Sequence, residues 1–98
     1  MVRVQLPYHL RTLAGVGREL ALEVAAPVSV SAILDALEAA YPVLKGTIRE
    51  HASRKRRPFL RFFAAGQDIS LCSPELCLAP SIASGEEPFM VVGAIAGG

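Results

Sequence analysis

Two segments near the start of the chain alternate apolar and polar side chains. In residues 2–6 and again in residues 20–24, every second side chain is a valine or a leucine. This period of two is typical of a strand with one buried and one exposed face. We therefore predict two strands that pair as a hairpin, joined by a loop that contains Gly15 and Gly17.

A helical pattern follows after Pro27. Apolar side chains recur there at spacings of three and four residues, at Val30, Ile33, Leu34, Leu37, Ala40 and Tyr41. This spacing places them on one face of a helix. We predict Ser29 as the N-cap, because its hydroxyl can accept a hydrogen bond from the first turn, and Pro42 as the end of the helix. Residues 43–52 favour a second, shorter helix.

The second half of the chain has fewer regular patterns. Residues 60–64 alternate again and predict a third strand, and the Gly-Gln-Asp sequence at 66–68 predicts the turn after it. The stretch 66–84 is polar and contains two prolines. We expect it to be a loop, with at most a short edge strand around residues 76–78.

The predicted order of elements is completed by a turn at 84–87 and an apolar, β-prone strand at 89–92. Two strands, a helix and further strands fit one twisted sheet with the helix packed across a single face, an α+β arrangement. Phe63 then points to the other face of the sheet. It is either part of a partner surface or a lone exposed aromatic side chain of the kind that most proteins carry.

Composition limits the class of protein. The chain has 98 residues, of which 52% are hydrophobic and 19% are charged. This length and composition predict one domain with a hydrophobic core. The longest apolar run, residues 89–96, is too short to span a membrane, and residues 1–10 have no apolar signal-peptide core. We expect a cytoplasmic protein with no membrane partner.

Positive charge is concentrated in one segment. Residues 45–61 contain seven of the ten basic residues and one acidic residue. Within this segment, the consecutive residues Arg54, Lys55, Arg56 and Arg57 form a candidate electrostatic docking patch for an acidic or phosphate-bearing partner. The alternative is a solvated loop. Nucleic acid is not the expected partner, because the domain as a whole is nearly neutral and has few aromatic residues.

The usual catalytic and metal-binding patterns are missing from the sequence. Cys72 and Cys77 form a single pair with no second pair nearby, so we expect small, buried or half-buried thiols rather than a zinc site or a disulfide. His9 and His51 are isolated, and no nucleophile motif or phosphate-binding loop occurs. We predict no metal, no bound cofactor and no catalytic side chain.

The last residues of the sequence suggest a different chemistry. Gly97 and Gly98 follow small side chains, so this backbone can enter a passage that is too narrow for a Cβ atom. A C-terminal carboxylate is ionised at neutral pH and is a poor electrophile until another enzyme activates it, for example as an acyl-adenylate. The protein would then be a substrate. The alternative is a frayed terminus with two inert glycines.

The sequence resembles the MoaD/ThiS family of ubiquitin-like sulfur carriers over nearly its whole length. The matching segments occur in the order of the family: 9–15, 30–42, 59–63, 66–69, 84–87 and 94–98. The ending Ala-Ile-Ala-Gly-Gly is the most specific of them. The chain departs from the family pattern at Ala65, where asparagine is common, at Gly93, where proline is common, and at Pro88.

The resemblance implies a β-grasp fold with a mixed sheet of four to five strands, formed as a single domain over residues 1–98 with a flexible tail at 93–98. It also implies a reaction cycle. An E1-like adenylyltransferase uses ATP to adenylate Gly98, a sulfur donor converts it to a thiocarboxylate, and an acceptor enzyme such as the large subunit of a synthase takes the sulfur. Gly97 lets the tail pass through a narrow channel of the partner enzyme. We predict that partner enzymes dock on the tail and on two side chains of the third strand: Gly93, Ala94, Ile95, Ala96, Phe63 and Arg61.

Three functions remain open at this point. The first is a sulfur carrier, with molybdopterin synthesis the leading pathway and thiamine, cysteine and tRNA thiolation as alternatives. The second is a ubiquitin-like modifier that is joined to lysines through Gly98. The third is a β-grasp interaction module with an inert tail.

Overall fold

A computed structural model of the protein describes residues 1–93. It contains five strands, three helices and one 3₁₀ turn. In chain order these are β1 (Val2–Gln5), α1 (Tyr8–Ala14), β2 (Glu19–Leu22), α2 (Val30–Ala40), the 3₁₀ turn (Pro42–Leu44), β3 (Leu60–Ala64), β4 (Gln67–Asp68), α3 (Pro80–Ser84) and β5 (Phe89–Gly93). No helix within residues 1–93 is both long enough and apolar enough to cross a membrane.

The strands form one mixed sheet in the order β2-β1-β5-β3-β4. β1 is antiparallel to β2 and parallel to β5, and β5 is antiparallel to β3. The last strand therefore lies in the middle of the sheet, between the first and the third. The predicted α+β class, with a mixed sheet of up to five strands and one main helix, is confirmed.

The predicted main helix is also confirmed, as α2. The Ser29 side chain accepts a hydrogen bond from the backbone N–H of Ala32 at 3.1 Å, which makes it the N-cap. The N–H of Tyr41 donates to the carbonyl of Leu37, and Pro42 begins the 3₁₀ turn. The apolar face of α2 is buried, and Ile33 and Leu37 are fully inaccessible to solvent.

The core lies between α2 and one face of the sheet. Every second side chain of the strands is buried there, among them Val2, Val4, Leu60, Phe62, Phe89 and Val91. The rings of Phe62 and Phe89, on neighbouring strands, have their centroids 5.5 Å apart. The side chains between them in sequence point to the second face of the sheet, on the side away from α2.

The connection between the first two strands differs from the prediction. Residues 8–14, expected as part of a loop, form the helix α1, so the two strands are paired but are not joined by a tight hairpin. Pro7 occupies the N-cap position and Gly15 ends the helix with φ of 71°. The helix has only seven residues, too few to establish a helical period in the sequence.

Three further predictions of local structure were wrong. The second helix expected over residues 43–52 is limited to the 3₁₀ turn Pro42–Leu44, because Gly46 adopts φ of 82° and turns the chain. Residues 67–68, expected as a turn, pair with β3 as the short strand β4. Part of the expected long loop is the helix α3, which has proline in its first turn and the left-handed Gly85 at its end.

Candidate functional site

The strand that leads into the predicted tail is held on both sides. β5 pairs with β1 and with β3, and its last residue, Gly93, is the register partner of Leu60. Gly93, predicted as the start of the tail, is therefore the end of a central strand. Ala94, Ile95, Ala96, Gly97 and Gly98, which carry the rest of the tail prediction, lie outside the described residues.

Two predicted docking residues lie beside this strand. Across the β3–β5 pairing, Arg61 faces Val92 and Phe63 faces Met90. These side chains occupy the sheet face opposite the core, where Phe63 is half-buried. The sequence prediction that Phe63 projects away from Leu60 and Phe62 is thus confirmed. An open, partly apolar surface accompanies β5 to its last residue.

Arg61 is oriented by its partner on β4. Its Nη1 atom donates to Oδ2 of Asp68 at 3.2 Å. Hydrogen bonds from Ser70 lower the pKa of Asp68, and Arg61 lowers it further. The carboxylate therefore stays charged at neutral pH and pairs with Arg61, whose side chain is 47% exposed beside the open sheet face.

A groove of about 530 Å³ lies at the end of β5. Its lining combines backbone and apolar groups of β5 with residues from and around α1, including Pro7, Tyr8, Arg11, Arg18, Met90 and Gly93. The Arg11 guanidinium carbon lies 5.5 Å from the centroid of the Tyr8 ring, a cation–π distance. Nε of Arg11 is buried and has no hydrogen-bond partner within residues 1–93.

Sequence reasoning missed the contribution of α1 to this groove. The signals were present, since Pro7 is typical of a helix start and Gly15 of a helix end. A correct assignment of residues 8–14 as a helix would have placed Arg11 one turn from Tyr8 on the same face. The groove offers a partner an aromatic ring, two guanidinium groups and an apolar floor, and these groups suit docking rather than bond-making chemistry.

The basic run at 54–57 lies elsewhere and is partly engaged within the molecule. Arg54 pairs with Asp35, and the Arg57 side chain donates to the carbonyl of Gly46 at 2.8 Å. Arg56 donates to the carbonyl of Leu60 at 2.7 Å. Lys55 is exposed and forms no ion pair within residues 1–93. The docking role expected for this run stays a prediction.

Arg49, which sequence analysis did not single out, anchors this loop to α2. Its side chain is only 5% exposed and bonds Glu38 and Asp35, with nitrogen–oxygen distances of 3.0 and 2.6 Å. Burial alone would lower the pKa of Arg49, but the bonds with these carboxylates outweigh it and raise the pKa. An arginine in a basic segment carries no sequence signal that marks it as buried.

The two thiols are not where they were expected. Cys72 and Cys77 are both exposed, so the prediction of buried or half-buried thiols is wrong. Both belong to the segment that follows β4, which runs over the surface before α3. Within residues 1–93, no group of three or more histidine, cysteine, aspartate or glutamate side chains could hold a metal ion.

The sheet order, the single covering helix and the exit of the chain from the central strand define a β-grasp, ubiquitin-like fold. Neither a protein-family model nor a curated protein matches the sequence. Solved structures do match. SAMP1 of Haloferax volcanii has a TM-score of 0.75 and 20% identity, covering 99% of this chain and 98% of that chain.

Two further structures have the same fold. A chain of the BexX/CysO complex of Amycolatopsis orientalis matches with a TM-score of 0.76 and 20% identity, covering all of both chains. CysO of Mycobacterium tuberculosis matches with a TM-score of 0.75 and 19% identity, covering 97% of this chain and all of that one. The resemblance to ubiquitin-like sulfur carriers inferred from the sequence is thereby confirmed as a likeness of fold.

Proposed function

We propose that this protein is a sulfur carrier whose reactive group is the carboxylate of Gly98. One observation carries the proposal: the sequence Ala-Ile-Ala-Gly-Gly at 94–98 directly follows β5, the central strand of a β-grasp sheet. A central strand is held by two neighbours, so the position of Gly93, directly before this sequence, is fixed. The open sheet face and the groove beside Gly93 supply a surface on which an activating enzyme can dock.

The proposed chemistry takes place on the terminal carboxylate. At neutral pH it is ionised and unreactive towards nucleophiles. An E1-like partner joins it to AMP from ATP and releases pyrophosphate, which converts the carboxylate into a good electrophile. Sulfur at the sulfide level from a donor then attacks the carbonyl carbon. The new C–S bond forms, the C–O bond to AMP breaks, and the product is a thiocarboxylate that an acceptor enzyme consumes.

In this proposal the protein's own side chains bind rather than catalyse. Phe63, Met90 and Val92 present apolar surface along β5, Arg11 adds a positive charge in the groove, and Arg61 forms an ion pair with Asp68 on the sheet face. The carrier is therefore a cosubstrate of its partners. We place the cycle in the cytoplasm, where exposed thiols such as Cys72 and Cys77 stay reduced.

The experiment is an ATP–pyrophosphate exchange assay with the E1-like enzyme of the protein's own host. We expect exchange to depend on this protein and to be lost when Gly98 is deleted. Phe63→Ser should raise KM for the carrier and leave kcat unchanged, since Phe63 belongs to the docking face. Leu71→Ser is the matched control, because Leu71 is an apolar residue that is 88% exposed and does not line the groove at the end of β5. No exchange with the wild-type protein would contradict the proposal.

A protein modifier is the second candidate, and the likeness of fold to SAMP1, a small archaeal modifier protein, favours it. A modifier has the same activated carboxylate, but the reaction joins that carboxylate through an amide bond to a lysine of another protein. Conjugates that survive both thiols and denaturant would identify a modifier. If deletion of Gly97 and Gly98 leaves function intact, the tail is inert and the protein is an interaction module.

The proposed sulfur carrier must supply a particular biosynthetic pathway. We propose molybdopterin synthesis, on the resemblance of the sequence to the small subunits of molybdopterin synthases. Loss of the protein from its host should then abolish molybdenum cofactor and leave thiamine, cysteine and thiolated tRNA at normal levels. Normal cofactor levels would assign the sulfur to one of those other products.

A further inference from the structure

A second cavity, of about 700 Å³, lies on the helix-covered side of the molecule. It shares no lining residue with the groove at the end of β5. Its apolar part is formed by Leu34 of α2, Phe62 of β3 and Ile69 after β4, and its polar part by the segment 53–56 together with several hydroxyl groups. Cavities of several hundred Å³ with an apolar lining and a few polar groups are typical of small-molecule sites.

Part of the charge around this cavity is neutralised within the protein. Arg49 and Arg54 both bond the carboxylate of Asp35, and Arg49 also bonds Glu38. Two guanidinium groups thus face two carboxylates. This cluster ties the basic segment to α2 and fixes one wall of the cavity, but it adds no net charge.

The charge that remains is positive. Lys55 lines the cavity and forms no ion pair within residues 1–93. Arg56 donates to the carbonyls of Ser70 and Leu60, which are neutral, so its charge is not compensated by them. One further carboxylate, Glu75, lines the cavity and is exposed. These three side chains therefore leave the cavity lining with a net positive charge.

One hydroxyl group adds a hydrogen-bond donor to the same lining, that of Ser31 in the first turn of α2. Ser70 also lines the cavity, but its hydroxyl accepts from the backbone N–H of Phe62 at 2.8 Å and hydrogen-bonds the Asp68 carboxylate. Cationic and hydroxyl donors above an apolar floor match a ligand that combines a phosphate group with an apolar body.

We propose that this cavity binds a small phosphate ester with an apolar or aromatic body, held by Lys55 and Arg56 through the phosphate and by the apolar wall at Ile69 through the body. The site is separate from the surface assigned to carrier docking and does not depend on sulfur transfer. The proposed ligand is thus a small molecule, and its binding is independent of any reaction at Gly98.

The first test is a fluorescence titration of the full chain with 1-naphthyl phosphate. Lys55→Gln should weaken binding about tenfold, the loss expected for one charge-assisted contact. Lys45→Gln is the matched control, because Lys45 is the other lysine of the chain, is exposed and does not line this cavity. 1-Naphthol and inorganic phosphate should each bind more weakly than the ester. No saturable binding, or equal affinities for the two lysine variants, would overturn the proposal.

The two exposed thiols provide a second measurement. Cys72 lines the cavity, whereas Cys77 does not. In Cys77→Ser protein, 1-naphthyl phosphate should slow the reaction of Cys72 with an aromatic disulfide reagent. In Cys72→Ser protein, the ester should leave the reaction of Cys77 unchanged. Equal protection of both thiols, or of neither, would place binding outside this cavity and contradict the assignment.

Discussion

Arg49 shows how one side chain joins a loop to the core of this protein. It is almost fully buried, and both of its partners, Asp35 and Glu38, belong to α2. A buried guanidinium is stable only when carboxylates compensate its charge. The stretch between the 3₁₀ turn and β3 is held together by one isolated antiparallel bridge, between Arg49 and Arg56, and the ion pairs of Arg49 tie that bridge to α2.

Replacing Arg49 with methionine should therefore destabilise the fold. The change leaves Glu38, whose side chain is 14% exposed, without its partner. We expect a loss of about 3 kcal/mol in the free energy of unfolding, measured by urea denaturation. Arg57→Met is the control and should cost less than about 1 kcal/mol, because Arg57 is exposed. Equal losses for the two variants would contradict the role of Arg49.

The same cluster should make stability depend on pH. The hydrogen bond from Arg49 lowers the pKa of Asp35 below its ordinary value of 3.8, and Arg54 adds to the effect. Because the folded protein has the lower pKa, Asp35 contributes stability above the pKa of the unfolded chain and loses it as pH falls through the folded value. Urea denaturation from neutral pH down to about pH 3 should show a steeper loss for the wild type than for Asp35→Asn. Parallel curves would contradict this prediction.

Ala65 carries backbone strain at the turn between β3 and β4. Its φ is 52°, in the left-handed region that alanine rarely adopts and asparagine tolerates better. Ala65→Asn should therefore stabilise the protein by about 0.5 kcal/mol, measured as a higher midpoint of urea denaturation. Ala25→Asn serves as the control, since Ala25 is exposed and has no positive φ. A fall in the midpoint for Ala65→Asn would argue against strain at this turn.

At the scale of elements, α2 is the part of the molecule that depends most directly on local sequence signals. It has an N-cap, a continuous apolar face and a proline after its end. The cap satisfies one of the free N–H groups of the first turn. Because α2 covers the sheet, its stability is coupled to that of the whole core.

Loss of this cap should be measurable. Ser29→Ala should lower the free energy of unfolding by about 1 kcal/mol, because the N–H of Ala32 loses its acceptor. Ser31→Ala, two residues later, removes a hydroxyl that caps nothing and should have less than half that effect. Chemical denaturation of both variants distinguishes the cap from a general effect of removing a serine. A larger effect at Ser31 would contradict the assignment of Ser29.

The elements that sequence reasoning identified share one property: their patterns are long enough to define a period. Apolar side chains recur at a regular spacing at least three times in each of three segments, residues 2–6, 30–41 and 60–64. All three segments form elements of the predicted type, β1, α2 and β3. α1 and α3 have seven and five residues, and their prolines suggested loops. Proline is compatible with the first turn of a helix, where its missing N–H costs nothing. A proline in a short segment is therefore consistent with a loop and with the start of a helix, and composition alone could not distinguish them.

The candidate site was predictable only in part for a different reason. The place of Phe63 and Arg61 beside β5 follows from strand alternation once the third and last strands pair. The pairing of β5 with β1, which brings α1 to the same end of the sheet, joins residues that are far apart in sequence. No local pattern encodes that contact, and the groove around Arg11 was therefore not expected.

At the scale of the whole molecule, two surfaces are kept apart. One accompanies β5 to Gly93 and combines apolar side chains with Arg61 and Arg11. The other is the cavity beneath the basic segment on the helix-covered side. This division lets a large partner engage the sheet face and the residues after Gly93 without contacting the cavity. The proposed carrier function depends on the first surface and on the carboxylate of Gly98.

The most direct test of that claim is the intact mass of the protein purified from its own host, with a Gly98 deletion prepared in parallel. We predict a fraction of molecules heavier by the exchange of one oxygen for one sulfur, and no such fraction in the deletion variant. The heavier species should revert to the carboxylate when an acceptor enzyme is added. A plain carboxylate in every preparation, even with an E1-like enzyme, ATP and a sulfur donor supplied, would contradict the carrier function.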